Sequence, residues 1–190
     1  MEERGLEPIS MTDIAQRAGL SKAALYRYFP HKAALLRALS VSVLEEDRGR
    51  LRTFIEEEPG EPTEVLAAAL VDYCRRSCQD SFRPKLRLAM HADDELSRLD
   101  FEDSRKNARA IARFLLEQGV EGKPAEVEQR VLLVLELVDG LVRVMLQVGK
   151  RRQRQLQEDF IRMVEPYLLG RLQLHGAAST PSMTRPKVSS

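Results

Sequence analysis

Apolar residues recur along this chain three and four positions apart, the spacing of a helix face, and no stretch shows the strict alternation of a half-buried strand. The first helix opens at Ser10, which stands before Asp13 as an N-cap stands before an acid in the first turn, and stops at Gly19. Ser21 caps a second short helix through Tyr28, and Pro30 ends it because the residue before proline disfavours helical backbone. A third helix runs from about Lys32 to Ile55 with Leu35, Leu36, Leu39, Val43, Leu44 and Leu51 on its apolar side. The run Glu56 to Pro62 (EEEPGEP) cannot continue a helix and makes the connector to the rest of the chain.

Beyond it the pattern gives helices over Thr63–Cys78, from Pro84 to His91, over Arg105–Gln118, over Pro124–Val148 and over Arg152–Leu174, the last bent at Pro166. The expected fold class is all-α: a helix-turn-helix module over residues 1–55, a helical bundle over 63–174, and a tail over 175–190 whose Ser, Thr, Ala and Pro content reads as disordered. Apolar residues between Val127 and Val148 cover more than one face, so part of that surface is expected to meet a second chain.

With 43% hydrophobic and 31% charged residues the chain has enough apolar material to fold and falls outside the disordered class. The run Val131 to Val148 is broken by Glu136, Asp139, Arg143 and Gln147, which argues against a membrane span. Residues 1–9 lack the apolar segment of a signal peptide, and two cysteines four apart on one helix make no disulfide framework, so the expected compartment is the reducing cytoplasm. Catalysis finds little support, with no Gly-rich phosphate loop, no metal-ligand cluster, no nucleophile and base in sequence register, and no cofactor motif.

A net charge of +1 gives no overall attraction for nucleic acid, but the charge is unevenly placed. Between Ser10 and Ser40, Arg17, Lys22, Arg27, Lys32 and Arg37 face Asp13 alone. The inward set of the two short helices is Ile14, Ala15, Ala18, Leu20, Leu25 and Phe29. Ala15 admits close approach and Gly19 makes the sharp turn, so that the second helix projects at a steep angle. Its outward residues are Lys22, Ala23, Ala24, Tyr26 and Arg27, small at the start and then cationic and hydrogen-bonding, as a helix in a major groove needs. Thr12, Tyr28 and Lys32 flank it as candidate phosphate contacts.

The run MTDIAQRAGLSKAALYRYFPHKAALLRAL resembles the signature of the tetracycline-repressor-like (TetR) family, including its Tyr-x-Tyr-Phe and the following Lys32. The resemblance implies a homodimer, paired through the last two helices, that sets two recognition helices on a near-palindromic operator and leaves it when a small molecule enters the second domain. It also places effector contacts near the end of the Pro84 helix, at Arg87, Met90 and His91, with Tyr73 and Phe114 as further candidates. Arg143, four residues from Asp139, is a candidate anchor for an anionic effector. Such proteins carry a helix of about four turns before the motif, closing its core. Nine residues stand there in this chain, which leads to the expectation that the true start lies upstream or that the reader lacks one wall and binds DNA poorly. The competing reading is a dimeric ligand- or protein-binding relative that does not read DNA.

Overall fold

The structure, a computed structural model, describes residues 10–171. They form α1 (Met11–Arg17), α2 (Lys22–Tyr28), α3 (Lys32–Glu57), α4 (Pro62–Gln79), α5 (Phe82–His91), α6 (Asp94–Glu117), α7 (Pro124–Met145) and α8 (Lys150–Leu168), with no strand among the described residues. No described helix is long and apolar enough to cross a membrane. The expectations about a bracing helix before Ser10 and about the tail from residue 175 lie outside the described residues.

The local signals explain most of these boundaries. Ser10 Oγ accepts from the Asp13 N–H, and the Ser10 N–H donates back to Asp13 Oδ2 at 2.9 Å, satisfying two otherwise orphaned amides at the start of α1. Ser21 caps α2 through the Ala24 N–H at 3.1 Å, and Gly19 turns the chain between them with φ +67°. His31 is an unforeseen cap, its Nδ1 accepting from the Ala34 N–H at 3.1 Å to start α3. The helix expected from Arg105 instead begins at Asp94. Asp93 caps it, accepting from the N–H groups of Glu95 and Leu96. Its first turns escape the apolar pattern because two inward positions are the carboxylates Asp100 and Asp103. The last helix, expected from Arg152, opens two residues earlier at Lys150, and it stops at Leu168 rather than Leu174.

Among the described residues, three apolar clusters hold the helices together. A small one unites Met11, Ala15, Leu25 and Leu35 with partly buried Ile14, Phe29 and Leu39; Ala18 and Leu20, expected inside, are exposed, lying at the turn rather than in the seam. A second gathers Leu44, Leu86, Met90 and Leu96, again with Leu39. The largest packs α6, α7 and α8 through residues such as Leu115, Val127, Val131 and Phe160. Leu39 belongs to the edge of both small clusters, so α3 is a single beam with the reader on its first turns and the bundle on its middle.

The same beam carries an ion network. Asp47 Oδ1 on α3 accepts from Arg76 of α4 at 2.6 Å and from Arg83 of α5 at 2.7 Å. Arg76 in turn reaches Asp72 at 2.9 Å, Arg83 reaches Glu46 at 2.7 Å, and Arg48 of α3 pairs with Asp103 of α6. Asp47, Arg76 and Arg83 are each nearly nine-tenths buried, so their mutual pairing is what makes that burial tolerable. Burial alone would raise the Asp72 carboxyl, but hydrogen bonds from Arg76 and Arg75 outweigh it and the group lies below the ordinary range. Asp103 moves the other way, raised by burial despite Arg48 and Asn107.

A carboxyl lowered by folding contributes stability above its unfolded titration range and loses it as pH falls. Urea unfolding of Asp72→Asn is therefore expected to show lower stability than the parent at neutral pH, with the gap narrowing between about pH 5 and pH 3. A gap that stays constant over that range would show that folding does not lower the Asp72 carboxyl.

Candidate DNA interface and effector cavity

The reader presents its outward face as the sequence ordered it. Lys22, Ala23, Tyr26 and Arg27 are exposed on α2, Ala24 is half-buried, and Thr12 and Lys32 are exposed at the first turns of α1 and α3. Tyr28 is 66% exposed and Tyr26 40%, so neither is a core residue among the described neighbours. Arg27 donates to the Tyr28 hydroxyl at 3.3 Å with its guanidinium 5.1 Å from the ring centroid, and Lys22 Nζ lies 5.8 Å from the Tyr26 ring. These contacts stiffen long side chains on an exposed face, which lowers the ordering cost when they meet a polyanion. Asp13 is the single acid between Ser10 and Ser40, and its carboxylate is turned back onto Ser10, whose hydrogen bonds hold it below its ordinary range.

The second domain encloses a cavity of about 180 Å³ bounded by α3, α4, α6, α7 and α8, with Arg87 of α5 at one end. Its two ends differ in chemistry. Leu51 and Phe54 of α3, Leu66 and Leu70 of α4, Val131 and Val134 of α7 and Val164 and Leu168 of α8 make an apolar half. Asp47, Asp72, Tyr73, Arg76, Arg87, Asp100, Asp103, Asn107 and Asp139 make a polar half. The Tyr73 hydroxyl donates to Asp139 Oδ1 at 3.2 Å, and burial raises its phenol far above the ordinary value, so it stays a neutral donor. Arg87 pairs with Asp100, and the carboxylates of Asp139 and Asp100 outweigh its burial and hold it charged. Asn107 donates to Asp103 at 3.0 Å, and its Oδ1 is buried without a partner.

Of the effector candidates read from the sequence, the fold brings only Tyr73 and Arg87 to the cavity wall. Met90 is buried in the cluster under α3, where it packs with Leu44 and Leu86. Phe114 is buried on α6 but does not line the cavity, and Arg143 lies exposed on α7, making no ion pair with Glu136 or Asp139 among the described residues. His91 is half-exposed at the end of α5, 3.4 Å from Asp100 and 3.6 Å from Asp139. The residues that sequence reasoning missed are Asp47, Arg76, Asp100 and Asn107. Their one signal was their recurrence at helical spacing with the apolar positions, as Tyr73 and Arg76 or Asp100, Asp103 and Asn107 recur. Burial pushes the Cys74 thiol up to about 12 and raises Cys78 as well, so the pair offers no reactive thiolate.

Comparison with known proteins follows the same division. The profile described as "Bacterial regulatory proteins, tetR family" matches residues 1–39, and "Tetracyclin repressor-like, C-terminal domain" matches residues 61–172. No curated protein matches the chain. Among solved structures, the fold is similar to Thermus thermophilus FadR, a TetR-family transcriptional repressor crystallised with lauroyl-CoA. The TM-score is 0.62 at 22% identity, over 94% of this chain and 92% of that one. The second profile alone spans more than half of the sequence and follows the reader match along the chain, and the chain belongs to the TetR family of transcriptional regulators.

Proposed function

We propose that the protein is a homodimeric repressor that holds a near-palindromic operator through α2 and releases it when an amphipathic small molecule enters the bundle cavity. The observation that carries the DNA half is the exposed face of α2, small at Ala23 and Ala24 and cationic at Lys22 and Arg27, on a reader capped at Ser10 and Ser21. Small residues let the helix sit close to base edges, while Thr12, Tyr28 and Lys32 meet phosphates on either side. The cavity supports the effector half, because an apolar half ending in fixed charges fits a molecule with a hydrocarbon body and a polar end. Lauroyl-CoA, bound by the structural neighbour, is of that chemical kind.

Support for the dimer comes from α7 and α8. Leu133, Leu137 and Val144 are each about half exposed on one stripe of α7, and Met163 is 58% exposed on α8. Gly140 lies on the same stripe, where a Cβ would meet nothing within 4 Å. A mid-helix glycine costs about 1 kcal/mol against alanine, and nothing within this chain's own packing calls for one there. A second copy crossing close at that point does call for it.

Operator fragments recovered by genomic capture test the reading. Lys22→Ala and Lys32→Ala are each expected to weaken binding and to reduce the dependence of log K on log salt by about one phosphate contact. Unchanged affinity and slope in both variants would contradict the assigned face. Gly140→Leu, which improves helix propensity and has room in the monomer, is expected to convert the dimer to monomer in analytical ultracentrifugation while leaving the helical circular dichroism intact. A Gly140→Leu protein that remains dimeric would remove α7 from the interface.

A further inference from the structure

The second polar feature of the bundle lies where the last turn of α5 meets α6 and α7. His91 Nε2 stands 3.4 Å from Asp100 Oδ2 and 3.6 Å from Asp139 Oδ2, and the three donor atoms all lie within 4.8 Å of one another. One imidazole N–H cannot point at both oxygens, so hydrogen bonding alone does not account for the convergence. An ion bonded at about 2.1 Å to tetrahedrally disposed donors separates them by about 3.4 Å, which matches both measured edges.

The outer oxygens supply an independent observation. Asp100 Oδ1 is held by Arg87, and Asp139 Oδ1 accepts from the Tyr73 hydroxyl at 3.2 Å. Each carboxylate thus has one oxygen fixed by a neighbouring donor and the other turned to the common point, the way outer partners orient metal-binding carboxylates. With a neutral imidazole, the two aspartates and Arg87 leave one net negative charge for a dication to offset.

We propose that His91, Asp100 and Asp139 form a binding site for a divalent first-row transition ion of the zinc class. One nitrogen and two carboxylate oxygens select such ions over magnesium or calcium, which take oxygen donors alone. The ion ties the end of α5 to α6 and α7, and because Asp100 and Asp139 also line the cavity it lies in the cavity's polar wall. The site shares that wall with the proposed effector cavity, but its test reads metal binding rather than DNA release, so the two readings can fail independently.

Titration of the metal-free full chain with cobalt(II), followed by visible absorption, is expected to show saturable binding of one ion, displaced by zinc and not by magnesium. His91→Ala, a change at a half-exposed side chain, and the near-isosteric Asp139→Asn are each expected to weaken binding by about tenfold or more with helical circular dichroism unchanged. Cys78→Ser is expected to bind as the parent does. The proposal is overturned if cobalt shows no saturable binding up to millimolar concentration, if His91→Ala binds as tightly as the parent, or if Cys78→Ser abolishes the signal and thereby moves the site to the thiols.

Discussion

One carboxylate fixes how the two halves of this regulator sit on each other. Asp47 projects from the middle of α3 into a place where water is nearly excluded and takes a guanidinium from α4 and another from α5 on a single oxygen. Replacing such a buried set by apolar residues is often no loss of stability, whereas removing one member costs about 3–5 kcal/mol because its partners stay buried and charged. The network therefore acts less as a source of stability than as a choice of register: α3 sits against the bundle in the one alignment that brings Asp47 to Arg76 and Arg83. Since the reader's own core includes Leu35 and Leu39 of the same helix, that alignment also sets where α1 and α2 stand.

The cavity's chemistry follows from the same network. Arg76, Asp72 and Asp47 are at once partners in the ion set and lining of the polar half, so a ligand whose polar end reaches those groups competes with α3 for them. The apolar half is built from the inner faces of α3, α4, α7 and α8 and offers bulk burial without direction. Binding energy from the hydrocarbon body can thus be spent on disturbing a charged contact that the reader helix depends on. Coupling of this kind requires a differential interaction with two states, and under the proposed function Arg76, shared between the cavity wall and Asp47, is the group that supplies it.

How much of this was legible in the sequence depended on what each position is buried against. The reader's caps, Ser10 and Ser21, its turn at Gly19 and its exposed cations were readable because they act locally, whereas Ala18 and Leu20, expected inside, lie exposed at the turn. The apolar periodicity gave α3, α4 and α7 with ends shifted by a few residues. It failed for the first half of α6, where Asp100 and Asp103 occupy inward positions and look like a solvated face until Arg87 and Arg48 arrive from other helices. The cavity candidates failed for a related reason: Met90 and Phe114 have the right composition for a pocket, but only packing decides that they fill cores. The convergence of His91, Asp100 and Asp139 was invisible because the three residues come from three helices and no spacing rule links them.

The most direct measurement of the central claim is operator affinity in Asp47→Asn, an isosteric change that removes the charge and touches neither the reader surface nor the exposed stripe of α7. If α3 carries the state of the bundle to the reader, fluorescence anisotropy with captured operator DNA will show affinity shifted by about tenfold or more, equivalent to about 1.4 kcal/mol, with dimer and helix content preserved. Operator affinity equal to that of the parent, in a variant whose bundle has lost the Arg76 and Arg83 pairing, would contradict it.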